Sequence, residues 1–333
     1  MKLLLLNVNR TGWHSGNMIY DMEVIKRACD TVIYGPGWDN YKNNDLREII
    51  KQVYGDGKPD VIYSYFHENE KVGDVYMQHY KIPEQLRRFP VNMDLVNIPK
   101  IFAISDFWFQ KDQNLIAKSG FQYCFGCFVP PYSRDKDFYS YFSEENRKNI
   151  KFVPHIRCVD EECFKDYGLP KKYDVITIGA MGHFYPFRSH MHTILSQNAK
   201  NLGINYKNYP HCGSNFNHSD LVRDKYAQTI NSSKILVSCG GKYHLAMNKI
   251  FESMGCNTLY IGEKVYGEKE LHLRSGWNYV CVNSTDFIDV IRHYLKNDFE
   301  RNVIVKNAKD TFLKHHTINA RARDFLKLLE GIL

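Results

Sequence analysis

Residues 248–261 read Asn-Lys-Ile-Phe-Glu-Ser-Met-Gly-Cys-Asn-Thr-Leu-Tyr-Ile, and two of them could do chemistry. Lys249 and Glu252 stand on a predicted short helix that runs through Gly255 into an apolar strand. Residues three apart share one helix face. A carboxylate can accept hydrogen bonds from hydroxyls and an ammonium can hold a phosphate, so the pair suits a ligand carrying both a ribose and a phosphate. On an ordinary exposed helix the same pair would be a surface contact worth about 0.2–0.5 kcal/mol.

In open parallel sheets, ligands settle outside the carboxyl ends of the strands. That rule selects Gly179-Ala180-Met181-Gly182-His183-Phe184-Tyr185-Pro186-Phe187-Arg188, which follows the apolar run 175–178 and leads into a helix predicted to begin near Ser189. Glycines let a backbone approach a phosphate, and a helix N-terminus carries about half a positive charge. Arg188 would add two parallel donors. Gly179, Gly182, His183, Tyr185 and Arg188 therefore join Asn248, Lys249 and Glu252 as candidates on one side of a site. In the first half the rule selects residues 9–16 with Trp13 and His14, then His67, then Asp106 and Trp108. These would face an acceptor. Asp106 is the candidate general base for a hydroxyl and His14 a second one, because removing a hydroxyl proton needs a group within hydrogen-bond reach.

The elements that must hold these residues recur with a regular rhythm. Apolar runs at 3–8, 31–34, 61–65, 101–104, 123–129 and 152–153 alternate with helical stretches, and after Pro154 the rhythm restarts at 175–178, 204–206, 235–238, 258–261 and 279–282. Strands alternating with helices imply parallel pairing. The expected architecture is α/β, two Rossmann-like domains facing across a cleft, with a C-terminal helix crossing back to the first. The boundaries follow as residues 1–153, a hinge at 154–170 bracketed by prolines and a glycine, a second domain at 171–315 and a terminal helix at 316–333.

Composition narrows the class. The 333 residues fit two domains, and 44% hydrophobic with 24% charged residues describes a globular protein. Residues 1–150 carry 19 Lys and Arg against 19 Asp and Glu, so the whole net charge of +7 lies in residues 151–333, where a diphosphate would benefit from it. The four leucines of MKLLLLNVNR are too few for a signal sequence, and no apolar run reaches the length of a membrane span. Nine cysteines, an odd number scattered without an export signal, predict reduced thiols and a cytoplasmic location. Cys124-Phe125-Gly126-Cys127 is a lone CxxC and reads as a buried strand with a turn; His190 and His192 stand two apart on a helix and make a poor metal pair.

The segment from Lys249 to Ile261 resembles the donor-binding segment of nucleotide-sugar glycosyltransferases of the GT-B fold, and the ending His316-Thr317 with Arg321 and Arg323 on an amphipathic helix resembles the spore-maturation branch of glycosyltransferase group 1. The resemblance covers about residues 150–333, including Tyr185-Pro186-Phe187-Arg188 and, loosely, Pro154, His155, Asp160 and Phe164 at the hinge. It implies that Glu252 binds ribose hydroxyls, that Lys249 lies near the diphosphate, and that the loop holding His211 adjoins the nucleobase. The implied activity is transfer of a sugar from a nucleotide diphosphate sugar to a hydroxyl on a glycan, a lipid-linked sugar or a small molecule, without a required cofactor or metal, peripheral membrane contact being compatible. A phage-type enzyme acting on hydroxylated DNA bases, and a non-catalytic nucleotide-sugar-binding protein, are the alternatives. One departure concerns stereochemistry: retaining relatives often carry a second Glu eight residues before the ribose Glu, where this chain has His244.

Overall fold

The computed structural model describes residues 1–10, 17–104, 112–126, 142–155, 157–209 and 222–333. Its first sheet contains β1 (Lys2–Leu6), β2 (Asp30–Tyr34), β3 (Val61–Ser64), β4 (Lys100–Ile104), β5 (Tyr123–Gly126) and β6 (Lys151–Pro154) in the order β2-β1-β3-β4-β5-β6. Every pairing is parallel. Around it lie α1 (Asn17–Ala28), α2 (Leu46–Tyr54), α3 (Asp74–His79), α4 (Gln113–Lys118) and α5 (Glu144–Arg147). The run Leu3 to Leu6 has no exposed surface. A central parallel strand is covered on both faces, which is why it reads as a continuous apolar run.

The second sheet contains β7 (Tyr173–Ile178), β8 (Tyr206–Tyr209), β9 (Ser233–Ser238), β10 (Leu259–Gly262) and β11 (Val280–Cys281) in the order β11-β10-β9-β7-β8, again all parallel. Its helices are α6 (Pro186–Asn198), α7 (Arg223–Asn231), α8 (Asn248–Gly255), α9 (Phe287–Lys296) and α10 (Asp298–His315). Successive strand residues feed opposite cores. Ile176, Leu236 and Tyr260 pack with Ile250, Phe251 and Met254 of α8, while Val175, Ile235, Val237, Leu259 and Ile261 pack with Met191 and Leu195 of α6 and Ile291 of α9. This period of two places α8 and α6 on opposite faces.

The run expected at 204–206 is displaced: the strand is Tyr206–Tyr209, and Ile204 lies between a turn at 201–203 and the strand. β8 is an edge strand, so the polar Lys207 and Asn208 can occupy it, and the apolar run misplaced its start.

Two glycines set critical distances. A Cβ on Gly255 would lie 2.4 Å from the Phe164 carbonyl oxygen, so only glycine lets the segment after β6 pack on the end of α8. Gly179 is the other, at the site itself.

The last helix, α11 (Ile318–Ile332), leaves the second domain and packs on α1; Phe325 and Leu329 join the first core. Thr317 caps it by accepting from Ala320 N–H at 3.1 Å, and Glu161 accepts from Ile318 N–H at 2.9 Å.

Candidate active site

The chain order of the second sheet goes from β7 to the edge at β8, then returns across β7 to β9. The crevice between β7 and β9 is thus the topological switch point, where carboxyl-end loops splay apart and a ligand can enter. Gly179 follows β7, and the chain after β9 leads through residues 239–247 into α8.

Three expected residues converge here. Gly179 has φ +123°, and a Cβ on it would lie 2.7 Å from an Arg188 terminal nitrogen and 2.9 Å from Lys249 Cε. The absence of a side chain therefore lets α6 and α8 bring one cation each over the end of β7. Arg188 is only 2% exposed. One terminal nitrogen donates to the Ala180 carbonyl at 2.8 Å, and the guanidinium lies 4.5 Å from the centre of the Tyr185 ring. Its Nε is buried and has no hydrogen-bond partner, and among the described residues no carboxylate pairs with it. Glu263, the first residue after β10, feels the Arg188 charge but forms no ion pair with it, and burying a guanidinium that is not closely paired costs several kcal/mol.

Glu252 is not a surface residue. It is 7% exposed, and its Oε2 accepts from the Tyr226 phenol at 2.6 Å. Tyr226 comes from α7, and Lys249 Nζ lies 5.7 Å from the centre of its ring, so one tyrosine touches both charges of α8. Burial first, and the Glu252 charge second, push the Tyr226 phenol well above its ordinary pKa, which keeps it a neutral donor. From the first domain, Tyr20 of α1 packs against the same core, and its phenol is raised by burial and by Glu252. Asn248 is buried at the start of α8.

The remaining candidates fall elsewhere or outside the described residues. Gly182 and His183 are exposed at the outer edge of the loop, with the His183 ring 3.9 Å from Phe184. His67 follows β3 in the first domain, where its Nδ1 lies 3.0 Å from the Glu68 carbonyl and its Nε2 3.6 Å from Glu70. Trp13, His14, Asp106, Trp108 and His211 lie outside the described residues. His190 and His192 do diverge, to the Ser284 carbonyl and the Tyr206 hydroxyl. No group of three or more metal-ligating side chains occurs among the described residues, and no helix there is long and apolar enough to cross a membrane. Two residues of the cluster were not foreseen. Tyr226 lies 26 positions from Glu252 with no local signal, whereas Glu263, the first residue after β10, which accepts from Gly240 N–H at 3.0 Å and feels the Arg188 charge, was available to the carboxyl-end rule.

Residues 188–327 match the model of the glycosyl transferase-like family. No curated protein matches the chain by sequence. Among solved structures, HepE from Anabaena in complex with UDP aligns over 100% of both chains with a TM-score of 0.60 and 11% identity. A glycosyltransferase from Rickettsia africae aligns over 99% of this chain and 98% of its own, with a TM-score of 0.58 and 13% identity. The lipopolysaccharide outer core galactosyltransferase WaaB aligns over 100% of both, with a TM-score of 0.57 and 11% identity. The fold is GT-B. The cluster of Gly179, Arg188, Lys249 and Glu252 belongs to the domain of the second sheet, and Arg188, Lys249 and Glu252 lie within the matched family segment.

Proposed function

We propose that this chain is a glycosyltransferase that moves a hexose or pentose from a nucleotide diphosphate sugar to a hydroxyl acceptor. The observation that carries the proposal is Arg188, a buried guanidinium at the switch point beside Lys249, with no carboxylate to pair with it among the described residues. A diphosphate would supply the close counter-charge that Glu263 does not. Glu252, oriented by Tyr226, then accepts from ribose hydroxyls, and the loop holding His211 adjoins the base. Negative charge grows on the diphosphate as the glycosidic bond breaks, so the two cations stabilise the transition state more than the ground state. They take the role a metal would otherwise fill.

Residues 1–153 hold the acceptor, a glycan, lipid-linked sugar or small molecule, through Trp13, His14, His67, Asp106 and Trp108. Closure about residues 154–170 excludes water from the donor. Asp106 serves as base if the transfer inverts; if it retains, the departing phosphate takes the proton. The likeness of residues 316–323 to the spore-maturation branch supports placing the enzyme there, in the cytoplasm.

The test is thermal denaturation with a panel of UDP-, GDP-, CMP- and TDP-sugars and the free nucleotides. A true donor at a hundred times its Kd stabilises by about 2.7 kcal/mol; no shift with any of them overturns the proposal. Activity lost in EDTA and restored by a divalent ion would assign the leaving-group role to a metal. An NMR assignment of the product anomer, with Asp106→Asn assayed alongside, decides the base: a retained anomer with a nearly inactive variant removes Asp106 from that role.

A further inference from the structure

The inner face of α10 is fully used: Ala308 and Phe312 pack in the core shared with α8, and Ile304 and Val305 in the other core of the second domain. A helix that covers a core shows one apolar stripe, with polar residues opposite it. α10 shows a second stripe on its outward face, where Phe299, Val303 and Leu313 are 82%, 43% and 51% exposed. Lys306 and Asp310, both exposed, complete the line between them.

The positions 299, 303, 306, 310 and 313 are separated by steps of four, three, four and three. That is heptad spacing, which keeps one line of side chains facing a second helix. Its two charges are also unused within the chain: among the described residues the ion pairs of α9 and α10 are Arg292–Asp289, His293–Glu300 and Arg301–Asp298, with Lys306 and Asp310 in none of them. Lys309, beside the line, is turned inward and donates to the Gly255 carbonyl at 2.8 Å.

The order of the residues selects the occupant. Laid antiparallel on a copy of itself, about a two-fold axis level with Ala308, the line brings Lys306 opposite Asp310 and Val303 opposite Leu313, each pair occurring twice. An interface about a two-fold axis uses one patch on both subunits, so the patch must complement itself. This one does so in charge and in apolar surface together. An anionic membrane is the other surface that exposed apolar and basic side chains suit, but it would repel Asp310 in the middle of the line, whereas a second copy pairs it.

We infer that the outward face of α10 is the interface for a second copy of this chain, the two helices packing antiparallel through Phe299, Val303, Lys306, Asp310 and Leu313. That face is turned away from α8, so pairing leaves Lys249 and Glu252 open to a ligand. The line is roughly 21 Å long at 1.5 Å per residue. A contact of that length is small for a permanent interface, so assembly should depend on protein concentration.

Sedimentation velocity over a concentration series tests this. Wild type should move from the monomer mass towards twice that mass as concentration rises. Val303→Asp, Lys306→Asp and Asp310→Lys should each raise the dimer Kd about tenfold or more, because each sets like charges, or a charge and an apolar side chain, against one another on both sides of the axis. The decisive variant combines Lys306→Asp with Asp310→Lys. It restores opposite charges across the axis and should recover the wild-type Kd to within about threefold. All three positions are exposed, and matching melting curves establish that each variant folds. A wild type that stays monomeric throughout overturns the inference. So does a dimer that persists in Val303→Asp and Lys306→Asp, or a double exchange that fails to recover, since either result places the contact on another surface. Flotation with vesicles of phosphatidylcholine and phosphatidylglycerol runs alongside: monomeric wild type that binds them, and loses binding in Val303→Asp, would assign the face to a membrane instead.

Discussion

The two sheets share strand direction and a switch point, yet their carboxyl ends differ in what the polar groups there do. Among the described residues at the first sheet, several bond to the domain's own backbone, and Arg10 lies over the Tyr76 ring at 5.2 Å. Trp38 donates to the Asn7 carbonyl at 3.0 Å and Tyr80 to the Asn9 carbonyl at 2.7 Å, while Glu68 accepts from Asn92 and Met93 N–H at 2.9 and 2.8 Å. At the second sheet, Arg188 is buried with its Nε unmatched and Lys249 lies beside it. Charge follows the same division, residues 1–150 being neutral and the rest +7. Strand order alone selects two crevices. Among the described residues, two cations, Arg188 and Lys249, stand together at the second crevice, while Trp38, Tyr80 and Glu68 at the first stabilise their own loops.

Arg188→Ala should break this contrast most severely, lowering turnover roughly 10²- to 10³-fold, the range for losing one transition-state donor, with a smaller loss in donor affinity. Arg188→Met should share the kinetic defect while leaving the melting temperature unchanged or raised, because it removes a buried charge and keeps the volume. A large fall in melting temperature for Met would mean that the guanidinium serves the fold, as the polar groups of the first domain do.

Next in size, Glu252→Ala should weaken donor binding by about 1.5–3 kcal/mol in titration calorimetry, the range for hydrogen bonds to a charged group. Tyr226→Phe should raise the donor KM by less, with kcat little changed, since it frees the carboxylate without removing it. Equal effects would make Tyr226 a direct ligand contact.

Glu68→Ala supplies the reverse case. It leaves two backbone N–H groups without their acceptor and should lower stability by about 1–3 kcal/mol in denaturant titration, with nucleotide affinity unchanged. A change in affinity would dissolve the distinction between the two crevices.

The smallest effect concerns acid. His316, bonded to the Leu271 carbonyl at 2.9 Å and stacked on Phe251, is held neutral by burial and by Arg321, with its pKa well below the ordinary value. His155, against Phe125 and Phe325, is lowered chiefly by burial. Both bind a proton more readily unfolded than folded. Their contribution is complete above the unfolded value near 6.5 and declines as pH falls below it, by at most about 1.4 kcal/mol per pH unit for each. Melting temperatures should therefore fall between pH 7 and 5, and His155→Phe should remove part of that slope. An unaltered slope would place the acid sensitivity in the second domain.

Much of the fold was legible because buried parallel strands must be continuous apolar runs; the exception was β8, whose edge position admits Lys207 and Asn208. At the candidate site, Gly179, Arg188, Lys249 and Glu252 could be singled out because local spacing and the carboxyl-end rule both apply to them. Tyr226 could not, since only the packing of α7 on α8 brings it to Glu252. The burial of Glu252 was equally hidden: an i,i+3 pair looks the same in sequence whether or not a neighbouring helix covers it.

The return of α11 to the first domain also imposes an order on synthesis. Phe325 meets Tyr63 and Phe125 edge-on at 5.8 and 6.0 Å, and Tyr123 donates to the Ile332 carbonyl at 2.6 Å. The apolar surface that these residues cover is translated long before its cover. At 5–20 residues per second, β6 leaves the ribosome roughly ten to thirty seconds ahead of α11. That interval is spent translating the second domain, and the earlier one waits through it with an open face. The half translated first thus cannot finish folding until the last helix arrives, and a chain truncated before residue 318 should bind a chaperone through β3 and β5.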